Sequence, residues 1–301
     1  MNIVIPTYEH HFRYNFNFLE SFDTYCLDKK NVNIYIIGRN ASRDYLNTWF
    51  KQFSNLNIFV YTLSDLIYNV DGITIDDTDD NYFTVKYQLQ SLKKLLAYTV
   101  TNGDYIVMDS ENLCLKPFYF SDIFSSQKNK KLIYCKRIHT EDNTLGISLM
   151  KNSNSMLNTN DSNWYFIKSY WFFEYDYVKL LVDELKKFGT LYLYLQDKIF
   201  FEYQLYCMFL YKNNIKEFEE IDNINNEEYN FNELLKKGGR LGPGFDAEYI
   251  CTVLNIDNVK YYCNILNKMD ERIVRLHWMD EITKNYIIEN TNICIGTFHF
   301  G

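Results

Sequence analysis

The sequence lacks several patterns that mark common classes of protein. Its 31 Lys and Arg face 39 Asp and Glu, which gives a formal charge of −8, and no long basic stripe is present. Because nucleic acids are polyanions, this charge argues against DNA or RNA as a partner. No G-x-G-x-x-G follows the first predicted strand, so the loop that defines a dinucleotide-binding fold is missing.

The cysteines and the hydrophobic runs of the sequence indicate where in the cell the protein is located. The chain has 7 cysteines, an odd number, and no Cys-x-x-Cys pair. This pattern fits reduced cytosolic thiols better than a disulfide framework or a structural zinc site. No apolar run approaches the roughly 20 residues that span a bilayer, and the first apolar residues predict a strand instead of a signal peptide. We therefore predict a cytoplasmic protein and leave open a peripheral association with the inner face of the membrane.

Apolar runs alternate with helical patterns along the first part of the chain. With 301 residues, 47% of them hydrophobic, the chain can bury a substantial core. The predicted strands and helices follow one another in the order 2–5, 12–27, 32–37, 42–53, 57–61, 84–101 and 104–108. Such a βαβ order predicts an α/β fold with a Rossmann-type, mainly parallel sheet and helices on both faces.

The second half is less regular. Residues 151–163 are rich in Asn and Ser, which predicts a surface loop and a candidate boundary between two halves of the chain. Helices are predicted at about 176–188 and 197–213 from their apolar spacing. Two short apolar segments, 272–276 and 292–298, predict closing strands.

An apolar strand delivers two carboxylates to its C-terminal end. Asp109 and Glu111 stand at positions i and i+2 directly after the run 104–108. In open α/β sheets, ligands bind outside the carboxyl ends of the strands. Mn²⁺ and Mg²⁺ prefer oxygen ligands and keep positions for phosphate and water. We predict a Mn²⁺ or Mg²⁺ site here; the alternative is an ordinary strand end with acidic turn residues.

Separated blocks of sequence resemble a known family. They are YQLQSLKKLLA at 87–97, DYIVMDSE at 104–111, KPF at 116–118 and EYQLY at 202–206. These blocks resemble a bacterial group of GT-A-like glycosyltransferases, which carry a Gln-rich helix with a Lys-Leu step, a strand ending in Asp-Ser-Asp, and an Arg-Pro or Lys-Pro. The resemblance covers about half of the chain. Glu111 departs from it, because the family has Asp at that position.

The resemblance implies a GT-A-like fold and a division of labour along the chain. Residues 1–125 would bind the nucleotide-sugar donor, and residues 126–301 would bind the acceptor and complete the same domain. The implied reaction moves a sugar from a nucleoside diphosphate, with UDP-sugars favoured, to a hydroxyl of a bacterial surface glycan. A capsule or lipooligosaccharide precursor, free or lipid-linked, would be the acceptor in such polysaccharide biosynthesis.

Loop residues after the first strands are predicted donor-binding residues. In GT-A enzymes the loop after the first strand lies near the base and ribose, which implies this role for Thr7 and Tyr8. The ring of Tyr8 can stack on a base, because every base offers a π-face. Arg39 follows the second strand, and Ser110 lies between the two predicted metal ligands. For each of them a purely local role in its loop is the alternative.

A helix and a glycine-rich loop supply further donor candidates. Gln90 and Lys94 fall on one face of the 84–101 helix, which we predict to look into the donor cleft. Lys93 or Lys94 would meet a phosphate and Gln90 a sugar hydroxyl; a solvated helix face is the alternative. The loop 236–246 holds four of the 11 glycines, and its Arg240 would grip a diphosphate if the loop closes as a lid.

Catalytic and additional metal-binding roles are predicted for three residues. Glu202 lies on a helical stripe with aromatic residues, and burial there would raise its pKa toward that of a general base. Asp197, at the start of the same predicted helix, is the second candidate base. By analogy with the late histidine of many GT-A enzymes, His277 would complete the metal site.

Two other functions stay open at this level. A metal-dependent nucleotidyltransferase shares a similar sheet and acidic pair, but it usually has a Gly-rich basic loop after the first strand, where this chain has Pro-Thr-Tyr-Glu at 6–9. A non-catalytic glycan-binding protein on a transferase-like fold is the other alternative, made plausible by Glu111.

Overall fold

Short apolar segments form the strands of a central sheet. The computed structural model describes residues 1–75, 82–129, 132–134, 144–165, 171–195, 198–220, 259–268, 272–276 and 280–297. The strands in these ranges are β1 (Asn2–Pro6), β2 (Asn33–Gly38), β3 (Asn57–Thr62), β4 (Tyr105–Val107), β5 (Asn112–Cys114), β6 (Leu132–Tyr134), β7 (Trp171–Phe173), β8 (Phe218–Glu220), β9 (Ile273–Arg275) and β10 (Ile295–Thr297).

The central sheet has five strands in the order β3-β2-β1-β4-β7. The first four are mutually parallel, and β7 runs antiparallel to β4 at one edge. Two smaller sheets, β5-β10-β9 and β6-β8, accompany it. The predicted α/β class with a mainly parallel sheet is therefore confirmed, and all four of its early strands lie where the sequence pattern placed them.

Helices cover both faces of this sheet. They are α1 (Phe12–Tyr25), α2 (Arg43–Phe50), α3 (Leu63–Asp71), α4 (Tyr82–Leu96), α5 (Tyr98–Thr101), α6 (Phe120–Asn129), α7 (Thr144–Leu157), α8 (Tyr175–Leu185), α9 (Leu191–Leu195), α10 (Glu202–Lys212), α11 (Val259–Lys268) and α12 (Glu281–Asn290). Side chains alternate along a strand, so Ile3 and Ile5 of β1 join the core under α1, α2 and α6, whereas Val4 joins the core under α3, α4, α8 and α10.

The prediction of a loop over residues 151–163 is wrong for its first half. Helix α7 continues to Leu157, and its Leu149 and Met156 are buried in the core. The polar residues of this helix use their side chains in hydrogen bonds, one to a distant carbonyl and one to the preceding turn of the same helix. The Nδ2 of Asn152 donates to the carbonyl of Ile199 at 2.6 Å, and the Oγ of Ser153 donates to the carbonyl of Leu149 at 2.9 Å. The helix predicted at 197–213 begins at Glu202.

The Lys-Pro step of the resemblance has a structural contact. The Nζ of Lys116 donates to the backbone carbonyls of Ile288 at 3.2 Å and Thr291 at 2.7 Å, at the C-terminal end of α12. The last carbonyls of a helix have no partner within it, and they carry the negative end of its dipole. Lys116 therefore fastens α12 to the loop that follows β5.

The carboxylate of Asp28 binds the free backbone amides at the N-terminus of α6. Its two carboxylate oxygens accept the backbone amides of Phe120 at 2.7 Å and Ser121 at 2.9 Å, the first residues of α6. Burial acts to raise the pKa of Asp28, but the two amides, together with the side chains of Ser121 and Cys26, outweigh burial and hold the pKa below its ordinary value. This carboxylate therefore stabilises the start of α6 only while it is ionised.

We expect Asp28→Ala to lower the free energy of unfolding by about 1–2 kcal/mol at pH 7. A depressed folded-state pKa contributes stability above the unfolded value of about 3.9 and loses it as the pH falls through the folded value. The deficit should therefore shrink below about pH 4. Urea unfolding at pH 7 and pH 3 measures it, with Asp44→Ala on the exposed side of α2 as a matched control. A deficit that is equal at both pH values would contradict the assignment.

Among the described residues, no helix is both long and apolar enough to cross a membrane. The five cysteines in these ranges, Cys26, Cys114, Cys207, Cys263 and Cys294, are buried free thiols.

Candidate functional site

The site lies where the strand order of the central sheet reverses. The chain moves outward from β1 to β2 and β3 on one side, and then returns to place β4 on the other side of β1. In parallel sheets this switch point opens a crevice outside the carboxyl ends of the two diverging strands. The loops that begin at Thr7, Arg39 and Asp109 follow β1, β2 and β4, and they therefore lie at the same edge.

Five of the predicted donor-binding residues line one pocket at this edge. The pocket is open to solvent, and about 430 Å³ of space, part of it bulk solvent, lies within it. Its walls are Pro6, Thr7, Tyr8, Arg39, Leu89, Gln90 and Lys93. The Nζ of Lys93 donates to the carbonyl of Thr7 at 2.8 Å, so α4 is fastened to the end of β1. The pocket thus combines a tyrosine ring with an ammonium and a guanidinium group, and the roles of these residues in binding a donor stay a prediction.

A chain of hydrogen bonds joins this pocket to the acidic segment after β4. The Oη of Tyr8 bonds the Nε2 of His11, whose ring lies against the tyrosine with centroids 4.0 Å apart. The Nδ1 of His11 lies 2.5 Å from the Oγ of Ser110 and 3.2 Å from the Oε1 of Glu111. The Oγ of Ser110 donates to the Oε2 of Glu111 at 2.9 Å. His11 is therefore the residue that connects the two parts of the site.

Asp109 faces a different partner, the ammonium group of Lys94. This ammonium lies 3.8 Å from the Oδ1 of Asp109 and 3.1 Å from the Oε1 of Glu202. It also lies 3.8 Å from the ring centroid of Trp171, a cation–π distance. Lys94 is only 3% exposed and Glu202 only 1%. Burial raises the pKa of Glu202, and the charge of Lys94 opposes that rise. The two are a buried ion pair at the rear of the site.

The structure separates the two neighbouring lysines that the sequence treated as alternatives. Lys93 lines the pocket together with Gln90, three residues earlier on α4. Lys94 points to Asp109 and Glu202 and is not among the pocket walls. The face of α4 that looks into the pocket is therefore the one bearing Gln90 and Lys93.

The donor set near β4 suits a hard divalent cation. Asp109 and Glu111 supply carboxylate oxygens, and their side chains keep 16% and 15% exposure at the carboxyl end of the strand. In the part of the chain that the structure describes, no three His, Cys, Asp or Glu side chains group together as a metal site. Two protein carboxylates fit Mg²⁺ or Mn²⁺ when phosphate oxygens and waters supply the other ligands.

Three predicted site residues lie outside the described residues. They are Asp197, Arg240 and His277. Glu202 is described, and with 1% exposure it presents no accessible surface to an acceptor hydroxyl in this conformation. Its role as a general base stays a prediction of the sequence.

Some residues of the site carry little or no signal in the sequence. His11 stands out only by following the first strand closely. Asn15 donates from its Nδ2 to the Oγ1 of Thr7, one turn into α1, and both side chains are buried. Trp171 reaches Lys94 from β7, an edge strand that no local pattern connects with the 84–101 helix.

Comparisons with known proteins give remote structural similarities. No family model matches the sequence, and no curated protein matches it. Mouse xyloside xylosyltransferase 1, in its apo form, is 8% identical with a TM-score of 0.41, covering 73% of this chain and 85% of that one. The galactosyltransferase LgtC, in complex with donor and acceptor sugar analogues, is 9% identical with a TM-score of 0.41, covering 100% and 87%. A nucleoside-diphosphate-sugar pyrophosphorylase from Vibrio cholerae is 10% identical with a TM-score of 0.39, covering 73% and 91%. Transferases and a pyrophosphorylase are thus both among the similar structures.

Proposed function

We propose that the protein is a glycosyltransferase that moves a sugar from a nucleoside-diphosphate sugar, with UDP-sugars favoured, to a hydroxyl of a glycan. One observation carries the proposal: a pocket walled by Tyr8, Arg39 and Lys93 lies at the switch point of the sheet, and Tyr8 is joined through His11 to the acidic segment that follows β4. A nucleoside diphosphate offers a base for the aromatic ring and phosphates for the cations.

In this proposal one group of residues binds the nucleotide and another group binds the metal ion. Tyr8 stacks on the base, and Arg39 and Lys93 bind the phosphate oxygens of the donor. Asp109 and Glu111 hold Mn²⁺ or Mg²⁺, with Ser110 orienting Glu111 through its 2.9 Å hydrogen bond. When bound, such an ion neutralises the charge that develops on the departing nucleoside diphosphate.

The acceptor and setting follow from the same proposal. We assign residues 1–125 to the donor and residues 126–301 to the acceptor. The acceptor is a hydroxyl of a growing bacterial surface glycan, such as a capsule or lipooligosaccharide precursor. If that precursor is lipid-linked, the enzyme works beside the inner face of the membrane.

The first test is nucleotide binding, measured by calorimetry with UDP, GDP and CMP, each with and without Mn²⁺. We expect one of them to bind with Mn²⁺. Lys93→Met should weaken that binding by roughly 10- to 100-fold, because it removes a charged hydrogen bond to phosphate. The matched control is Lys128→Met on α6, which removes an exposed ammonium paired with Asp104. This variant should bind the nucleotide like the wild type.

Each other outcome has a meaning. If no nucleotide binds under any condition, the transferase proposal is wrong and direct glycan binding is the function to test. If a nucleotide binds, product analysis with its sugar conjugates separates the two enzyme classes. Release of a nucleoside diphosphate indicates sugar transfer, whereas exchange with pyrophosphate indicates nucleotidyl transfer. Thermal unfolding of both variants verifies that they are folded.

A further inference from the structure

Lys94 is one cation placed between two carboxylates. Its ammonium lies between α4, which carries it, the end of β4, where Asp109 stands, and the first residue of α10, Glu202. The aromatic rings of Trp171 and Phe201 face the same ammonium, with centroids 3.8 Å and 5.6 Å away. An ammonium group so enclosed is held by its charged and aromatic partners, because little water reaches it.

The two carboxylates hold this ammonium unequally. The ammonium lies 3.1 Å from the Oε1 of Glu202, an ion-pair distance without hydrogen-bond geometry, and 3.8 Å from the Oδ1 of Asp109. Glu202 is buried and opens α10, where the positive end of the helix dipole favours a carboxylate. Asp109 retains some exposure at the edge of the sheet. The ammonium of Lys94 is therefore closer to Glu202, on its buried side, than to Asp109, on the side that faces the site.

We propose that Glu202 is a positioning residue that keeps the ammonium of Lys94 from closing onto Asp109, so that Asp109 stays available to a divalent cation. This inference rests on the metal site of the proposed function. Without the negative charge at residue 202, the strongest remaining partner of the buried ammonium is Asp109. A direct Lys94–Asp109 pair would compete with any metal ion for the same oxygen.

The test is a titration of the protein with Mn²⁺, in which binding is measured as the loss of the electron paramagnetic resonance signal of free Mn²⁺. It needs no nucleotide and no turnover. We expect Glu202→Gln to weaken Mn²⁺ binding by about tenfold, the effect of moving a unit charge roughly 1 Å closer to Asp109 at an effective dielectric constant of about 20. The double variant Glu202→Gln with Lys94→Met removes the competing cation and should recover the affinity to within about threefold of the wild type.

Recovery in the double variant distinguishes positioning from a structural role. If Glu202 only supports the fold, the double variant stays as weak as the single one, and the inference is overturned. It is also overturned if Glu202→Gln binds Mn²⁺ like the wild type, or if the wild type binds no Mn²⁺. Should Glu202→Gln fail to fold, Glu202→Asp keeps the charge on a shorter arm and should show a smaller weakening in the same direction.

The inference and the proposed function fail in different ways. A wild type that binds a nucleotide while Glu202→Gln leaves Mn²⁺ affinity unchanged keeps the transferase and removes only the role of Glu202. A wild type that binds Mn²⁺ with the expected response to Glu202→Gln, but binds no nucleotide, keeps the role of Glu202 and removes the transferase.

Discussion

Asp109→Asn should lower the turnover number for sugar transfer by roughly two to four orders of magnitude at saturating Mn²⁺. The amide keeps the size of the carboxylate but removes the charge that, in the proposed function, holds the cation. Charge stabilisation by a bound metal is worth several kcal/mol in a transition state, and each 1.36 kcal/mol or so is a factor of ten in rate. The loss should appear mainly in kcat, because charge on the leaving group develops in the transition state.

The matched control is Asp104→Asn, a change of the same kind at the opposite end of the same strand. The carboxylate of Asp104 accepts the amide of Tyr175 at 3.0 Å and the ammonium of Lys128 at 2.8 Å, and it is remote from the carboxyl end of β4. This variant should lose some thermal stability and keep its turnover number. If Asp109→Asn keeps both its turnover and its dependence on Mn²⁺, Asp109 is not a metal ligand.

Lys94→Met should be the most destabilising single substitution at the site, by about 3–5 kcal/mol at pH 7. It keeps most of the volume of the side chain but leaves Glu202 buried without its counter-charge. Removing one partner of a buried ion pair costs more than replacing both, because the remaining charge is left uncompensated. The double variant with Glu202→Gln should therefore recover much of the loss.

This deficit should depend on pH with a defined sign. Burial already raises the pKa of Glu202 against the opposing charge of Lys94, and removing that charge raises the pKa further. A folded-state pKa above the unfolded value of about 4.3 means that the native state binds the extra proton between the two values. Stability therefore falls as the pH rises through that window, and the deficit of Lys94→Met should be smaller at pH 5 than at pH 8.

Urea unfolding of the wild type, Lys94→Met and the double variant at pH 5 and pH 8 measures both effects. A deficit that does not change with pH would mean that Glu202 is neutral or solvated in the folded protein. A double variant as unstable as Lys94→Met would assign the loss to packing against Trp171, whose ring the ammonium faces.

Local pattern was sufficient for the parallel core of the fold. Apolar runs such as 2–5 and 32–37 are bounded by Pro6 and Gly38, and they became β1 and β2. Buried strands and amphipathic helices depend on the hydrophobicity of neighbouring residues in the chain, which the sequence displays directly. The same argument placed Asp109 at a strand end, and the structure has it just beyond β4.

Patterns that depend on distant partners were missed. The polar residues of 151–157 predicted a loop, yet Asn152 lies in α7 and its side chain donates to the distant carbonyl of Ile199. Strand β7 is antiparallel at the sheet edge, a pairing that no local alternation reveals. Tertiary contacts can override the local preference of polar side chains, because a hydrogen bond to a distant carbonyl satisfies them equally well.

The sequence by itself determined the α/β order of elements, the strand ends at which Thr7, Arg39 and Asp109 stand, and the supply of charged groups on α4. These are consequences of residue type and spacing along one segment. Only the tertiary structure decided that Lys93 joins the pocket while Lys94 pairs with Glu202, and that His11 links Tyr8 to Glu111. Adjacent residues on a helix point about 100° apart, so their partners are set by which elements pack around the helix, and those elements come from distant parts of the chain.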